Sequence, residues 1–138
     1  MVTINLKGRE VPLVYMTQEM LTIQEEIAPL GQVIPLVTGR NPEDEKDRSR
    51  FAGPEHLKAA GRLIRILGNA GLEVAGKDGD LTDKGVLRAI RPAELMENVN
   101  ACLSAMDEGM RSEIPKEEKT GPVDVVLEQI ERKKEPTG

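Results

Sequence analysis

The scarcity of aromatic side chains is the feature that most constrains the fold of this chain. It has one tyrosine, one phenylalanine and no tryptophan, so its core must be built from Leu, Ile, Val, Met and Ala. Binders of single-stranded nucleic acid usually stack bases on aromatic rings. Acidic residues also outnumber basic ones, 24 to 19, for a net charge of −5. The sequence therefore disfavours nucleic acid as a partner.

The length of 138 residues predicts one domain, or one small domain with a tail. No stretch reaches the ~20 apolar residues that a membrane span needs, and the first residues lack the pattern of a secretion signal. Cys102 is the single cysteine, which excludes an internal disulfide and a cysteine-based zinc site. We expect a cytoplasmic protein that does not bind a membrane.

The first sixteen residues predict an antiparallel β-hairpin with its turn at Lys7-Gly8-Arg9-Glu10. Pro12 lacks an N–H group, which places that side of the second strand at an edge. A two-stranded ribbon is not stable alone, so it needs a helix or another copy on its apolar face. The residues of that face are Val2, Ile4, Leu6, Val11, Leu13 and Tyr15.

Helices are predicted to form most of the remaining body, which spans residues 1–111. The first has Thr17 as its N-cap and stops before Pro29. The apolar run Val33–Val37 is broken by a proline and predicts an edge strand or a buried connector. Residues 39–54 carry dense mixed charge and predict a mobile loop.

Three later segments also show helical spacing. One helix is predicted from Pro54 to about Ala70, followed by glycines at 68, 71 and 76 that we expect to loosen the chain. Thr82 is placed to cap a short helix that buries Val86, Leu87 and Ile90. Pro92 opens a helix whose apolar stripe is Leu95, Val99, Cys102, Leu103, Met106 and Met110.

Residues 112–138 predict a charged tether and a C-terminal amphipathic helix that Pro122 begins. Its apolar stripe is Val123, Val126, Leu127 and Ile130. A helix of ~12 residues is marginal in water, so the stripe must dock on the body, on another subunit or on a partner. The predicted fold is α+β, with the N-terminal hairpin packed on a mainly helical body.

Several short patterns resemble catalytic or ligand-binding motifs without completing them. Gly71–Asp78 nearly matches a phosphate loop, but Asp78 replaces the hydroxyl that would hold Mg²⁺. Asp78, Asp80 and Thr82 suggest a calcium loop that lacks its required Gly and Glu. We interpret both stretches as ordinary turns.

The remaining reactive side chains also predict no active site. His56 is expected to be exposed, and Cys102 lies on an apolar stripe, where a thiol is inert. The carboxylates of the charged loop are expected to be solvated: Glu43, Asp44, Glu45 and Asp47. We therefore expect no catalytic residue, no metal site and no cofactor, and infer an interaction protein.

Two surfaces are candidates for partner binding. Lys58, Arg62 and Arg65 form a basic strip on one helix, which is either a solvated face or a docking strip for an acidic protein. The second candidate is the C-terminal stripe of Val123, Val126, Leu127 and Ile130, for which docking on the body and binding of a partner both stay open.

The order of these segments resembles the tail assembly chaperones of long-tailed bacteriophages, especially those of Gram-positive hosts. Thr3–Glu10 with Tyr15 resembles their hairpin, and Met20–Ile27 resembles the helix after it. The stretches Leu81–Asp83, Pro92–Leu95 and Ala105–Met110 are similar to their last helices. The resemblance covers residues 1–111.

This resemblance implies an α+β fold, a homo-oligomer and a role in tail morphogenesis. Such chaperones coat the tape measure protein, recruit tail tube proteins and are absent from the mature virion. Many also have a longer form made by ribosomal frameshifting, and the family has no catalytic residues. Two alternatives stay open: a structural head–tail or tail-tube-associated protein, and a bacterial adaptor that acts through its C-terminal helix.

Overall fold

The computed structural model describes residues 1–39, 51 and 53–111. Its elements in chain order are β1 (Thr3–Leu6), β2 (Arg9–Pro12), α1 (Thr17–Glu26), α2 (Leu30–Thr38), α3 (Pro54–Val74), α4 (Asp83–Ala89) and α5 (Pro92–Met110). An antiparallel hairpin packs on a mainly helical body, which confirms the predicted class. Most of the predicted loop 39–54, and the tether and helix predicted for 112–138, lie outside the described residues.

The hairpin has a tighter turn than the sequence pattern predicts. Lys7 and Gly8 have φ angles of 53° and 83°, and two successive residues with positive φ are typical of a type I′ turn. The N–H of Gly8 donates to Asn5 Oδ1 at 2.7 Å. Arg9 already pairs with Leu6 in the ladder. The predicted four-residue turn is therefore wrong, because a two-residue turn matches the twist of the strands.

The apolar face of the hairpin points into the core, as its alternating pattern predicts. Ile4 pairs with Val11, and Thr3 pairs with Pro12, which places the proline on an edge strand. β2 packs against α3 and β1 against α5. The buried residues of this face, with those that follow β2, are Ile4, Leu6, Val11, Leu13 and Tyr15.

α3 is the centre of the fold, because it packs against α1, α2, α4, α5 and β2. It continues to Val74, past the predicted end at Ala70. Gly68 and Gly71 lie inside it and do not loosen the chain. A Cβ at Gly68 would lie 2.7 Å from Leu81 Cδ1, and one at Gly71 would overlap the carbonyl oxygen of Pro12. These glycines are sites of close packing.

α1 begins with Thr17 as its first helical residue, so the predicted cap is displaced by one position. Met16 is the N-cap, and its N–H donates to Glu19 Oε1 at 3.0 Å. This bond satisfies a backbone donor that the helix itself leaves unpaired. Ile23 is buried, and the helix ends at Glu26, before Pro29 as predicted.

α2 replaces the edge strand or connector that was predicted for Val33–Val37. Val33 and Val37 lie four residues apart and are fully buried, whereas Ile34 is 54% exposed, as helical periodicity requires. Pro35 lies inside the helix, where proline normally costs about 3 kcal/mol. Val33 and Val37 are buried where α2 packs against α3 and α5, and both strand and connector predictions are wrong.

α4 and α5 follow the predicted pattern in part: Val86 and Ile90 are buried, whereas Leu87 is only partly buried. Thr82 Oγ1 accepts the N–H of Gly85 at 3.0 Å, which confirms the predicted cap. Leu95, Val99 and Cys102 are buried along α5, while Met110 at its end is 60% exposed. In the part of the chain that the structure describes, no helix combines the length and the apolar character that crossing a membrane requires.

Candidate functional site

An apolar groove opens where the N-terminal parts of α3 and α5 meet α4. Its volume is about 630 Å³. Phe51 contributes to one part of it. The residues that define this apolar groove are Leu57, Leu87, Ile90, Pro92, Leu95 and Met96.

Local structure around α4 shapes the groove. The cap at Thr82 fixes the start of α4, and Ile90 and Arg91 are extended, so the chain turns before Pro92 opens α5. Leu87 packs closely on Gly61, where an added Cβ would lie 2.8 Å from its Cγ. α4 is thereby fixed against α3, and Leu87 forms one wall of the groove.

The chemistry of the groove suits aliphatic side chains. None of its lining side chains carries a charged, hydroxyl or amide group, and Leu57 remains 40% exposed. Pockets for small metabolites normally add a few placed polar groups that fix the orientation of the ligand. The lining side chains are therefore suited to contact apolar groups.

Three cations flank the groove in the sequence. Lys58 follows Leu57, Arg88 follows Leu87, and Arg91 lies between Ile90 and Pro92. All three are exposed. Across residues 1–39, 51 and 53–111, none of these cations forms an ion pair. Arg88 and Arg91 line a neighbouring cavity, together with Lys7 and Glu94, that shares Ile90 with the groove. We call Lys58, Arg88 and Arg91 the basic border of the groove.

Sequence reasoning did not find this groove. Leu57, Leu87 and Leu95 each belong to a predicted apolar stripe, and each stripe was assigned to the core. Periodicity identifies the apolar face of one helix, but it does not show where two such faces fail to meet. One feature of the sequence does point to it: Leu57 lies at the start of its helix, beside the predicted loop, where an apolar side chain can stay partly exposed.

The basic strip predicted on α3 is largely engaged within the molecule. Arg62 Nε lies 3.0 Å from Asp83 Oδ2, and Arg65 bridges Asp83 and Glu26. Arg62 also donates to the backbone carbonyl of Glu26 at 3.0 Å. These bonds join α3 to the start of α4 and to the end of α1.

The ionisation of this cluster follows from its geometry. Partial burial opposes the charge on Asp83, but hydrogen bonds from Arg65 and Arg62 outweigh burial and hold the pKa of its carboxyl below the usual value. Burial likewise opposes the charge on Arg65, and its bonds to Glu26 and Asp83 raise its pKa. Asp83 and Arg65 therefore stay charged at neutral pH, and together with Arg62 they act as a structural clamp.

The candidate partner-binding residues thus have different positions. Lys58 is exposed and follows Leu57 of the groove lining, and binding of an acidic partner there stays a prediction. Arg62 and Arg65 already have carboxylate partners. The C-terminal stripe lies outside the described residues: Val123, Val126, Leu127 and Ile130.

His56 and Cys102 have separate roles in the fold. His56 is partly buried, contrary to the expected exposure, because its Nδ1–H donates to the carbonyl of Leu36 at 2.8 Å. This bond ties α3 to α2. Cys102 is fully buried in the core, and burial raises the pKa of its thiol. A buried, protonated thiol is a poor nucleophile.

The incomplete motifs occupy ordinary structural positions. Gly71–Val74 is the last turn of α3 and leads into a turn, which is the reverse of the loop-then-helix order of a phosphate loop. Asp80 pairs with Arg9 at 3.0 Å, and Thr82 caps α4. The carboxylates predicted in the charged loop, Glu43, Asp44, Glu45 and Asp47, lie outside the described residues.

A second cavity, polar and about 650 Å³ in volume, lies between β1 and α5. Glu10, Glu94 and Glu97 line it with Asn5 and Asn98. The described part of the chain contains no group of three His, Cys, Asp or Glu side chains placed to hold a metal ion. Acidic residues alone do not define a site, and this cavity carries no functional assignment.

Comparisons of this chain with known proteins give no match, whether with protein-family models, with curated proteins or with solved structures.

Proposed function

We propose that this protein is a non-enzymatic tail assembly chaperone, which binds the tape measure protein and tail tube proteins while a phage tail is built. The observation that carries the proposal is the apolar groove, because its lining side chains are all apolar. The order of hairpin and helices, which resembles that of tail assembly chaperones, supports the choice of this family.

The groove fits a helical partner in its chemistry. An amphipathic helix docks by placing side chains at i, i+3, i+4 and i+7 into an apolar groove. Met96 in the lining is flexible and polarisable, and such a side chain adapts to varied apolar surfaces. A chaperone for a long, helix-rich protein must accept many segments of similar character. The basic border formed by Lys58, Arg88 and Arg91 would then select segments flanked by acidic residues.

The test is co-expression of the full chain with phage tail proteins encoded near its gene, followed by co-purification. Leu57→Arg places a charge in the groove and should strongly reduce capture of the long helical partner. Val74→Arg is the matched control, since Val74 is also exposed on α3 but lies about 26 Å further along the helix. The control should capture the partner as the wild type does.

The outcomes separate the alternatives. If no tail protein is captured by the wild type, the chaperone proposal is wrong. Equal capture by Leu57→Arg and the wild type would move the binding site away from the groove. Detection of the protein in purified virions by mass spectrometry would instead support a structural tail component.

A further inference from the structure

We infer that residues 122–131 of the same chain fold back and occupy the apolar groove. Val123, Val126, Leu127 and Ile130 would contact its floor. The docking itself does not depend on the proposed function. A role of this docking in regulating partner binding does rest on that function. Three observations support it: the composition of the undescribed segments, the reach of the chain and the charges at the groove.

Composition identifies the occupant. Two long stretches lie outside the described residues, 40–50 and 112–138. The first contains no Val, Leu, Ile or Met, so it has nothing to bury in an apolar groove. The second carries aliphatic residues at i, i+3, i+4 and i+7 from Val123 to Ile130, the spacing with which a helix fills such a groove.

The length of the chain permits this return. The groove lies at the start of α5, and α5 ends at Met110, about 21 Å from Met96 along the helix axis. Residues 112–121 can span about 33 Å when extended. Val123 can therefore reach the groove from the end of α5. A tether this short also gives the segment a local concentration of roughly millimolar, which favours docking on its own body.

Charges on the two surfaces are complementary. Asp124, Glu128 and Glu131 follow one another at i, i+4 and i+7, so a helix presents them along one flank of the apolar stripe. The cations that border the groove are Lys58, Arg88 and Arg91. Pairing of the acidic flank with this border fixes the orientation of the segment.

The experiment measures docking in the full chain with a spin label. The Gln129→Cys variant is labelled at the new thiol, since the buried Cys102 is shielded. The chain has six methionines, and their ¹³C-methyl signals report position. Met96 lies in the groove and Met110 at the end of α5. Docking predicts that the Met96 signal is lost while the Met110 signal is retained.

Two variants of the labelled chain control for the mechanism. Leu127→Asp changes the stripe and should restore the Met96 signal. Val125→Asp changes an aliphatic residue about 160° away from Leu127 on a helix, and it should leave the loss of the Met96 signal intact. The signal of the half-buried Met106 checks that the body remains folded.

The inference is overturned if the label weakens Met110 as much as Met96, because the segment would then stay near the end of α5. It is also overturned if Met96 is weakened in a mixture of spin-labelled chains and separate isotope-labelled chains, since a second copy would then be the occupant. Co-purification of the tail partner is measured separately. If the labelled chain with no further substitution shows no docking but captures the partner in a Leu57-dependent way, this inference is refuted and the proposed function stands.

Discussion

Glycine determines how closely the other elements approach α3. Gly61 accepts Leu87 of α4, Gly68 accepts Leu81 and Val11, and Gly71 accepts the backbone of Pro12. Glycine inside a helix costs roughly 1 kcal/mol relative to alanine. α3 accepts this cost at these three positions, and the close contacts explain why.

Gly71→Ala tests this packing. The added methyl overlaps the carbonyl oxygen of Pro12, and the backbone of β2 must move away. We expect the free energy of unfolding to fall by about 2 kcal/mol, within the range for overpacking, when measured by urea denaturation followed by circular dichroism.

Gly31→Ala is the matched control for this substitution. Gly31 also lies in a helix, but an added Cβ there has no neighbour within 4 Å. Alanine should therefore stabilise the protein by about 0.5–1 kcal/mol. Equal effects at the two positions would contradict the packing role of Gly71.

Asp83 makes the stability of the protein depend on pH, and the direction of its pKa shift gives the sign of that dependence. Its pKa is held below the ordinary 3.8 by Arg65 and Arg62. The resulting stability is fully present above 3.8 and is lost as the pH falls through the folded-state pKa. We expect Asp83→Asn to lower the free energy of unfolding at pH 7 by about 1 kcal/mol, a modest value because the carboxylate is partly exposed. The free energy of unfolding of the variant should also fall less steeply as the pH is lowered.

Urea denaturation at a series of pH values measures both effects. Asp78→Asn is a suitable control, because Asp78 is an exposed carboxylate that forms no ion pair in the described ranges. A decline in acid that is unchanged by Asp83→Asn would show that other carboxylates control it.

At the scale of elements, the sequence predicts the features that depend on neighbouring residues, such as helix caps and apolar helix faces. Thr82 caps α4, and the first three residues of the α5 stripe, Leu95, Val99 and Cys102, are buried, because capping and amphipathic spacing act within a few residues. The prediction of a strand or connector for Val33–Val37 is wrong, because a short apolar run that contains a proline shows neither a helical nor a strand period clearly. Contact of Val33 and Val37 with distant residues makes it a helix. The groove could not be predicted either, since it is a gap between three helices.

Thr82→Ala tests the cap on which the shape of the groove depends. It removes the acceptor for the N–H of Gly85, and such caps contribute about 1 kcal/mol. Hydrogen exchange should accelerate in α4 more than in α3. Thr82→Ser keeps the hydroxyl and should retain most of the protection. Uniform acceleration across the molecule would instead indicate that α4 does not open as a separate unit.

At the scale of the whole molecule, the outer edge of β1 carries a backbone N–H that β2 leaves unpaired. β1 and β2 form a two-stranded sheet, so each has an outer edge. Leu13 donates to the carbonyl of Val2 at 2.9 Å, and the next residue, Thr3, therefore directs its N–H away from β2. Exposed strand edges of this kind favour pairing with another copy.

Self-association through this edge stays a prediction, and light scattering at several concentrations tests it. We expect the mass to rise with concentration in the wild type. Thr3→Pro removes the outward N–H without breaking the ladder and should shift the rise to higher concentration, while Thr3→Val should not. A monomer at every concentration would argue against oligomer formation.

The pairing of the hairpin with α3 has a consequence for synthesis on the ribosome. β2 is covered by a helix whose contact residue, Gly71, is translated about sixty positions after Pro12. At roughly 5–20 residues per second, the apolar face of the hairpin stays unburied for several seconds until α3 has been synthesised. Nascent chains of this protein therefore pass through an aggregation-prone state with exposed apolar surface. The rate of translation between the codons for residues 12 and 71 sets how long that state lasts.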